Sequence, residues 1–279
     1  MPLWIVVFLL GVVEGITEFL PVSSTGHLLI TEKLLQMAGA ITADHWLVQG
    51  SAHKDVFNVV IQCGAVLAVL PLFPERLRQF AYEWREKATQ DYLLKILVAF
   101  GITCIGGFVL EKKGFKLPER LQPVAWALLI GGIAFVVVES WLRGHALKKQ
   151  VTWVIVAAVG LGQLIAAAFP GTSRSGATIL LCLVLGLDRV AATEYTFLVG
   201  IPTMLAAGGW KILKELRHSS AGPSEDWGMV ALGFIVAAIV SFICVKWLLR
   251  YIQTHTFIVF GWYRIAAAIL IAILLATTR

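Results

Sequence analysis

Two glutamates stand in an otherwise apolar stretch near the start of the chain. Between Met1 and Thr31 the only acidic or basic side chains, His27 aside, are Glu14 and Glu18. These two are four residues apart, so on a helix they share one face and repel each other. In a low-dielectric setting the repulsion grows, and either one carboxyl keeps its proton or a cation lies between them. The spacing therefore favours a metal site at Glu14 and Glu18; a structural pair that is hydrogen-bonded inside the bundle is the alternative.

A hydroxyl-rich turn follows the glutamates. Pro21 must break the helix, because it has no N–H to donate, and Ser23-Ser24-Thr25-Gly26 is suited to capping a second helix. The N-terminus of such a helix binds anions, which predicts a phosphate cradle that includes Ser23 and Thr25. His27 follows Ser24 by three residues, so its imidazole can approach that hydroxyl as a base or proton donor. An ordinary hydrogen-bonding histidine is the alternative.

A second stretch mirrors the first. Residues 151–187 carry one charged side chain, Arg174, within Pro170-Gly-Thr-Ser-Arg-Ser-Gly176. A shift of 149 positions lays Gln163 on Glu14, Pro170 on Pro21, Thr172 on Ser23 and Ser173 on Ser24, which indicates an internal repeat. Guanidinium groups match phosphate bidentately, so we expect Arg174, with Thr172, Ser173 and Ser175, to bind phosphate. An internal counter-ion to the glutamates is the alternative for Arg174.

The composition requires a membrane. Of 279 residues, 58% are hydrophobic and only 14% charged, and the mean hydropathy is +0.82. Soluble proteins contain about 25% charged residues. Apolar runs that could each cross a bilayer lie at 56–73, 93–110, 124–142, 195–213, 228–249 and 257–277.

The repeat predicts the architecture, an all-α polytopic membrane protein. If the broken stretches 3–38 and 152–187 are re-entrant helical hairpins, neither crosses the membrane, and three spans separate the two copies. Repeats 1–150 and 151–279, each one hairpin plus three spans, are then inverted, and the hairpin tips meet near the bilayer centre. If the broken stretches cross fully, the halves are parallel instead.

The sequence excludes several other kinds of site and gives the cysteines a structural role. Cys63, Cys104, Cys182 and Cys244 each stand alone in an apolar run, without metal-type spacing. No Walker-type phosphate loop is present, and no basic stripe with interleaved aromatic residues indicates nucleic acid. The basic loops fit contact with lipid headgroups, although they do not fix the orientation. The connections 39–55 and 214–227 are expected to be solvated.

The motifs resemble those of a known family. Glu14-Gly-Ile-Thr-Glu-Phe-Leu-Pro-Val-Ser-Ser-Thr-Gly-His27 and Pro170-Gly-Thr-Ser-Arg-Ser-Gly-Ala-Thr178 are similar to the two signatures of the bacterial undecaprenyl-diphosphate phosphatases of the bacitracin-resistance type. The similarity extends to Phe57-Asn-Val-Val-Ile-Gln-Cys-Gly-Ala65 and to Tyr263-Arg264, and so covers nearly the whole chain.

The resemblance implies an enzyme of cell-wall synthesis. It would remove one phosphate from the C55 polyprenyl diphosphate, with a divalent cation such as Mg²⁺ or Ca²⁺, in the bacterial plasma membrane, with a site open to the outer face. The implied roles are metal and catalysis for Glu14 and Glu18, phosphate binding for Arg174, and the chemical step for Ser24 and His27. We favour Ser24 as nucleophile, with His27 or Glu18 taking its proton; attack by water is the alternative.

Other functions stay open at this point. Inverted repeats with broken helices are also the plan of secondary transporters, so the same site could move a lipid phosphate rather than cleave it. A lipid-binding scaffold would need no reaction at all. The expected partners are the lipid substrate and the bilayer, not nucleic acid; a homodimer is a further alternative.

Overall fold

The protein is all-helical throughout the part of the chain described by the computed structural model, residues 1–41, 47, 52–115, 120–218 and 226–277. In this part a single isolated bridge joins Lys148 and Leu187. The expected loops 39–55 and 214–227 lie largely outside the described residues. The helices are α1 (Leu3–Thr17), α2 (Ser24–Met37), α3 (Ala52–Val69, extended by a 3-10 turn at Leu70–Leu72), α4 (Pro74–Tyr82), α5 (Lys87–Lys112), α6 (Leu121–Trp141), α7 (Trp153–Ala168), α8 (Arg174–Val184), α9 (Arg189–His218), α10 (Trp227–Tyr251) and α11 (Ile258–Thr277).

Six of these helices are long and apolar enough to cross a membrane. They are α3 with its 3-10 turn, α5, α6, α9, α10 and α11, and each contains most of one predicted span. Large apolar side chains such as Trp126, Ile130 and Val137 on α6 are exposed on the outside of the bundle, as expected for a surface that faces lipid. The prediction of an all-α, multi-pass membrane protein is confirmed.

The two unusual stretches form pairs of shorter apolar helices. The chain leaves the first helix of each pair at Thr17 and Ala168 and starts the second at Ser24 and Arg174. Pro21 and Pro170 lie inside the two interruptions, where a missing N–H costs nothing. The predicted helix breaks are therefore present in both stretches.

Each pair packs against a helix that is distant in sequence. α1 packs on α10 and α7 packs on α5. The approach is close because of glycines: a Cβ at Gly15 would lie 2.7 Å from the Ala237 carbonyl oxygen, and one at Gly160 would lie 2.8 Å from the Ile102 side chain. Small residues at such contacts let helix backbones approach one another in membranes. The first stretch is thereby held by α10 and the second by α5. Helix α6 packs on α11 and also contacts α2 and α8.

Candidate active site

The two helix breaks share one unusual backbone turn. Within the described chain, Ser23 (φ 75°) and Ser173 (φ 67°) are the non-glycine residues with positive φ. Each precedes a helix and caps it, because its hydroxyl oxygen accepts a hydrogen bond from the backbone N–H of Gly26 or Gly176. A side chain in this region of φ costs free energy, and the cap is the compensation.

The cap geometry corrects the register of the repeat. The shift of 149 holds in α1 and α7, where Gly11 and Gly160 make equivalent close contacts with the partner helix. At the caps the shift is 150, since Ser173 plays the role of Ser23 and not that of Ser24. The overlay of Thr172 on Ser23 is therefore wrong by one residue. The residue that takes the place of Ser24 is Arg174.

The two breaks lie against each other. Ser175, fully buried, donates its hydroxyl to the Leu20 carbonyl at 3.2 Å. Both turns also pack on Val124 of α6: a Cβ at Gly26 would lie 3.1 Å from it and one at Gly171 would lie 2.8 Å away. The structure thus brings together the residues of the first and second motifs, as the sequence predicted.

Arg264 of α11 donates hydrogen bonds to both helix breaks. No role was assigned to it from the sequence. Its guanidinium donates to the carbonyls of Pro21 (3.1 Å), Thr172 (3.0 Å) and Ala127 (3.0 Å), and only 1% of the residue is exposed. A signal was available, because a single arginine in an apolar span is costly and marks a functional or structural role.

The centre of the site is a contact between Glu18 and Ser24. The Ser24 hydroxyl donates to Glu18 Oε2 at 2.6 Å. Arg174 Nη2 lies 3.5 Å from Glu18 Oε1, yet all three Arg174 nitrogens are buried without a hydrogen-bond acceptor among the described residues. Buried donors without acceptors are costly. Arg174 therefore lies at ion-pair distance from Glu18 and keeps buried donors that no acceptor uses.

His27 does not approach Ser24 in this structure. Its Nδ1 donates to the Ser23 carbonyl at 2.8 Å, so in the neutral ring Nε2 accepts from the Tyr263 hydroxyl, 2.7 Å away. The two rings stack at 5.5 Å. Among the predicted proton acceptors, Glu18 is the one that contacts Ser24.

The other predicted phosphate ligands lie at the same place but have internal partners. Ser23 and Ser173 cap helices, Ser175 is bonded to Leu20, and the Thr172 hydroxyl donates to Phe169 at 2.7 Å. Thr25 lines a cavity next to Ser24. Their role in binding phosphate stays a prediction.

One cavity includes residues of the site, and a second lies between α6 and α11. The polar one, of about 150 Å³, contains one buried acceptor without a partner, Glu14 Oε2. Its lining comprises Glu14, Ser24, Thr25, Leu28, Leu29, Glu32, Lys54, Asp55, Asn58, Val59, Gln62 and Lys211. The second, of about 590 Å³, is a mainly apolar groove between α6 and α11, bordered by residues such as Ala125, Leu129 and Ala268.

The donor set at the polar cavity fits a hard divalent cation. Mg²⁺ and Ca²⁺ prefer oxygen ligands, carboxylates above all. Glu14 is only 2% exposed and interacts with Glu18, and its free oxygen faces neighbours that also carry oxygens. Within the described residues no group of three or more acidic, histidine or cysteine side chains could hold a metal, so neutral oxygens must complete any such site.

These features define an all-helical, multi-pass membrane protein in which two helix breaks converge on a carboxylate, a serine and an arginine. The chain belongs to the bacitracin resistance protein BacA family, whose profile matches residues 7–270. It is 49% identical over 264 residues to an undecaprenyl-diphosphatase of Rhizobium etli (strain CIAT 652), covering 94% of both chains. An undecaprenyl-diphosphatase of Xanthomonas axonopodis pv. citri is 47% identical over 266 residues, again with 94% of both chains covered.

Proposed function

We propose that this protein is a membrane phosphatase that hydrolyses undecaprenyl diphosphate to undecaprenyl phosphate and inorganic phosphate, and so recycles the lipid carrier of peptidoglycan synthesis and gives bacitracin resistance. The relatives are named for this diphosphatase activity. The observation that carries the proposal is the Ser24 hydroxyl bonded to Glu18 beside the free donors of Arg174. A transporter needs no such pair, and the alternative of a lipid-phosphate transporter is not favoured.

In the proposed mechanism Ser24 is the nucleophile. Its Oγ attacks the terminal phosphorus, its proton passes to Glu18 Oε2, and the bond to the bridging oxygen breaks with the electron pair leaving on the lipid phosphate. Water then cleaves the phosphoserine, releases inorganic phosphate and gives a proton to solvent, while Glu18 returns its proton to Ser24. Direct attack by water that Glu18 deprotonates is the alternative.

Charge at the phosphate is stabilised by groups of both breaks. Arg174 would bind the phosphoryl oxygens with its unpaired donors, assisted by the N-termini of α2 and α8. Glu14 and Glu18 would hold a divalent cation, Mg²⁺ or Ca²⁺, which when bound neutralises the diphosphate charge. Glu18 already has two neighbours, Ser24 and Arg174, so Glu14 offers the free oxygen.

The membrane arrangement is part of the same proposal. We infer that α1–α2 and α7–α8 are re-entrant hairpins, that the repeats 1–150 and 151–279 are inverted, and that the site opens to the outer face of the bacterial plasma membrane. The exchanged packing of α1 on α10 and of α7 on α5 supports a two-fold relation. The groove between α6 and α11 would receive the prenyl chain from the lipid. A homodimer stays a prediction.

The experiment that tests the function measures inorganic phosphate released from a polyprenyl diphosphate by the purified protein, with Mg²⁺ or with EDTA. We expect Glu18→Gln and Arg174→Ala each to abolish a cation-dependent release that wild type shows. Glu75→Gln and Arg78→Ala on α4 are matched controls, because both residues are mostly exposed. Absence of release by folded wild type on every prenyl diphosphate tried would contradict the proposal and favour transport, which a liposome flux assay would then measure.

A further inference from the structure

One segment of the chain reaches the site without a role in the mechanism above. Asn58 and Gln62 of α3 line the polar cavity together with Glu14 and Ser24. They are four residues apart, so they share one face of the helix. Both amides lie in the Phe57–Ala65 segment, where the proposed chemistry uses no residue.

One ion pair borders the same cavity as these amides. Lys54 Nζ of α3 lies 2.5 Å from Glu32 Oε2 of α2, and both residues line the cavity. Gln62 follows Lys54 by eight residues, about 12 Å along α3. Gln62 and Asn58 therefore lie beyond this ion pair on α3 and line the same space as Ser24.

The ion pairs at the cavity leave one carboxyl oxygen without a partner. Lys54 pairs with Glu32, and Lys211 lies 3.2 Å from Asp55. These pairs cancel, so the remaining acidic group that lines the cavity is Glu14, which interacts with Glu18 and whose Oε2 is buried without a hydrogen-bond partner. A buried carboxyl oxygen without a partner is costly and fits a bound cation.

The neutral ligands of such a cation must come from close by. Glu18 does not line this cavity, and its oxygens face Ser24 and Arg174. Glu18 is therefore shared with Ser24 and Arg174, and the two glutamates need further ligands to complete a cation site. Amide side-chain carbonyls are ordinary ligands of Ca²⁺ and Mg²⁺, and α3 presents two of them to the cavity that Glu14 faces.

We propose that Gln62 and Asn58 complete the divalent cation site of Glu14, through their side-chain carbonyl oxygens, on the α3 side of the polar cavity. This inference rests on the proposed function, because the phosphatase supplies the need for a cation. It gives the two glutamates different shares: Glu14 and the α3 amides surround the cation on this side, and Glu18 is shared between the cation and the Ser24 hydroxyl.

The test measures direct binding of Mn²⁺ to the detergent-purified full chain. The electron paramagnetic resonance signal of free Mn²⁺ gives the bound fraction, and added Mg²⁺ shows whether the two ions compete for the site. Mn²⁺ prefers the same oxygen ligands. We expect wild type to bind Mn²⁺, and Glu14→Gln, Gln62→Leu and Asn58→Leu each to weaken binding by at least about tenfold, since each removes a ligand. Gln62→Glu adds a charged ligand and should tighten it.

The matched control is Gln163→Leu. Gln163 is a buried amide in the second stretch that bonds to Thr103 rather than lining the polar cavity, and this variant should bind Mn²⁺ as wild type does. Thermal unfolding of each variant checks folding, and Gln62→Glu keeps the test informative if Gln62→Leu unfolds. Unchanged affinity in folded Gln62 and Asn58 variants would overturn the inference. Phosphate release by wild type, measured on the same preparation, separates this result from a failure of the phosphatase itself.

Discussion

The Ser24 hydroxyl has one strong acceptor, Glu18 Oε2 at 2.6 Å, and this contact makes a covalent route testable. Ser24→Ala removes the nucleophile but leaves the backbone cap at Ser23 in place. We expect it to lower phosphate release by roughly 100-fold or more, as for other nucleophiles that act as a unit with their base. Ser24→Cys, which retains a nucleophile, should trap a phosphorylated protein or keep part of the activity.

The control for this change is Ser140→Ala at the exposed end of α6, which should turn over at the rate of wild type. Labelled phosphate transferred to protein, detected after acid quench, would demonstrate the intermediate. Full turnover by Ser24→Ala would exclude the covalent route and leave water, deprotonated by Glu18, as the nucleophile.

At the scale of the elements, the sequence predicted the breaks but not the turn inside them. Pro21 and Pro170 announce an interruption of a helix, whatever the tertiary fold. The positive φ of Ser23 does not follow from any local preference of serine, and it is this turn that places Ser24 against Glu18 and points His27 to Tyr263. A contact across a helix break depends on backbone angles that side-chain spacing alone does not determine.

The same limit applies to Arg264. Its acceptors, Pro21 and Thr172, lie in the two breaks, far from it in sequence, and only packing on α6 brings them within reach. We expect Arg264→Met to destabilise the protein strongly, because each buried carbonyl left unpaired costs about 1–3 kcal/mol. Arg264→Lys, with fewer donors, should be intermediate in both thermal unfolding and phosphate release.

Arg250→Met is the reference for this pair, since Arg250 is an exposed arginine in the last turn of α10. Thermal unfolding in detergent is the measurement. Arg264→Met and Arg250→Met unfolding at the same temperature would show that the guanidinium does not hold the two breaks together.

At the scale of the whole molecule, each half of the chain packs against the other half. α1 is fixed by α10 and α7 by α5, so neither helix pair is held by its own half of the chain alone. The six apolar helices were predictable from hydropathy, because each is a continuous run. The exchange of partners was not, because it depends on which glycine faces meet, such as Gly11 with Gly233.

The inverted arrangement makes a prediction about sidedness. Lys149, before α7, and Leu185, after α8, flank the second helix pair, so they lie on the same face of the membrane if that pair is re-entrant. Ala38, at the end of α2, is three spans away from Lys149 and lies on the other face. All three residues are exposed. We expect a membrane-impermeant thiol reagent, applied to intact cells, to give Lys149→Cys and Leu185→Cys the same labelling and Ala38→Cys the opposite one, with the unlabelled positions reached only after the membrane is opened.

Wild type supplies the background for this labelling, because its four cysteines lie within the apolar helices α3, α5, α8 and α10. Activity of each variant shows that the fold is retained. Labelling of Lys149→Cys and Leu185→Cys from opposite faces would mean that α7–α8 crosses the membrane fully. Since Ser175 and Leu20 are bonded, the two breaks would still meet, but the two stretches would no longer be equivalent and the two-fold relation between the helix N-termini at the phosphate would be lost.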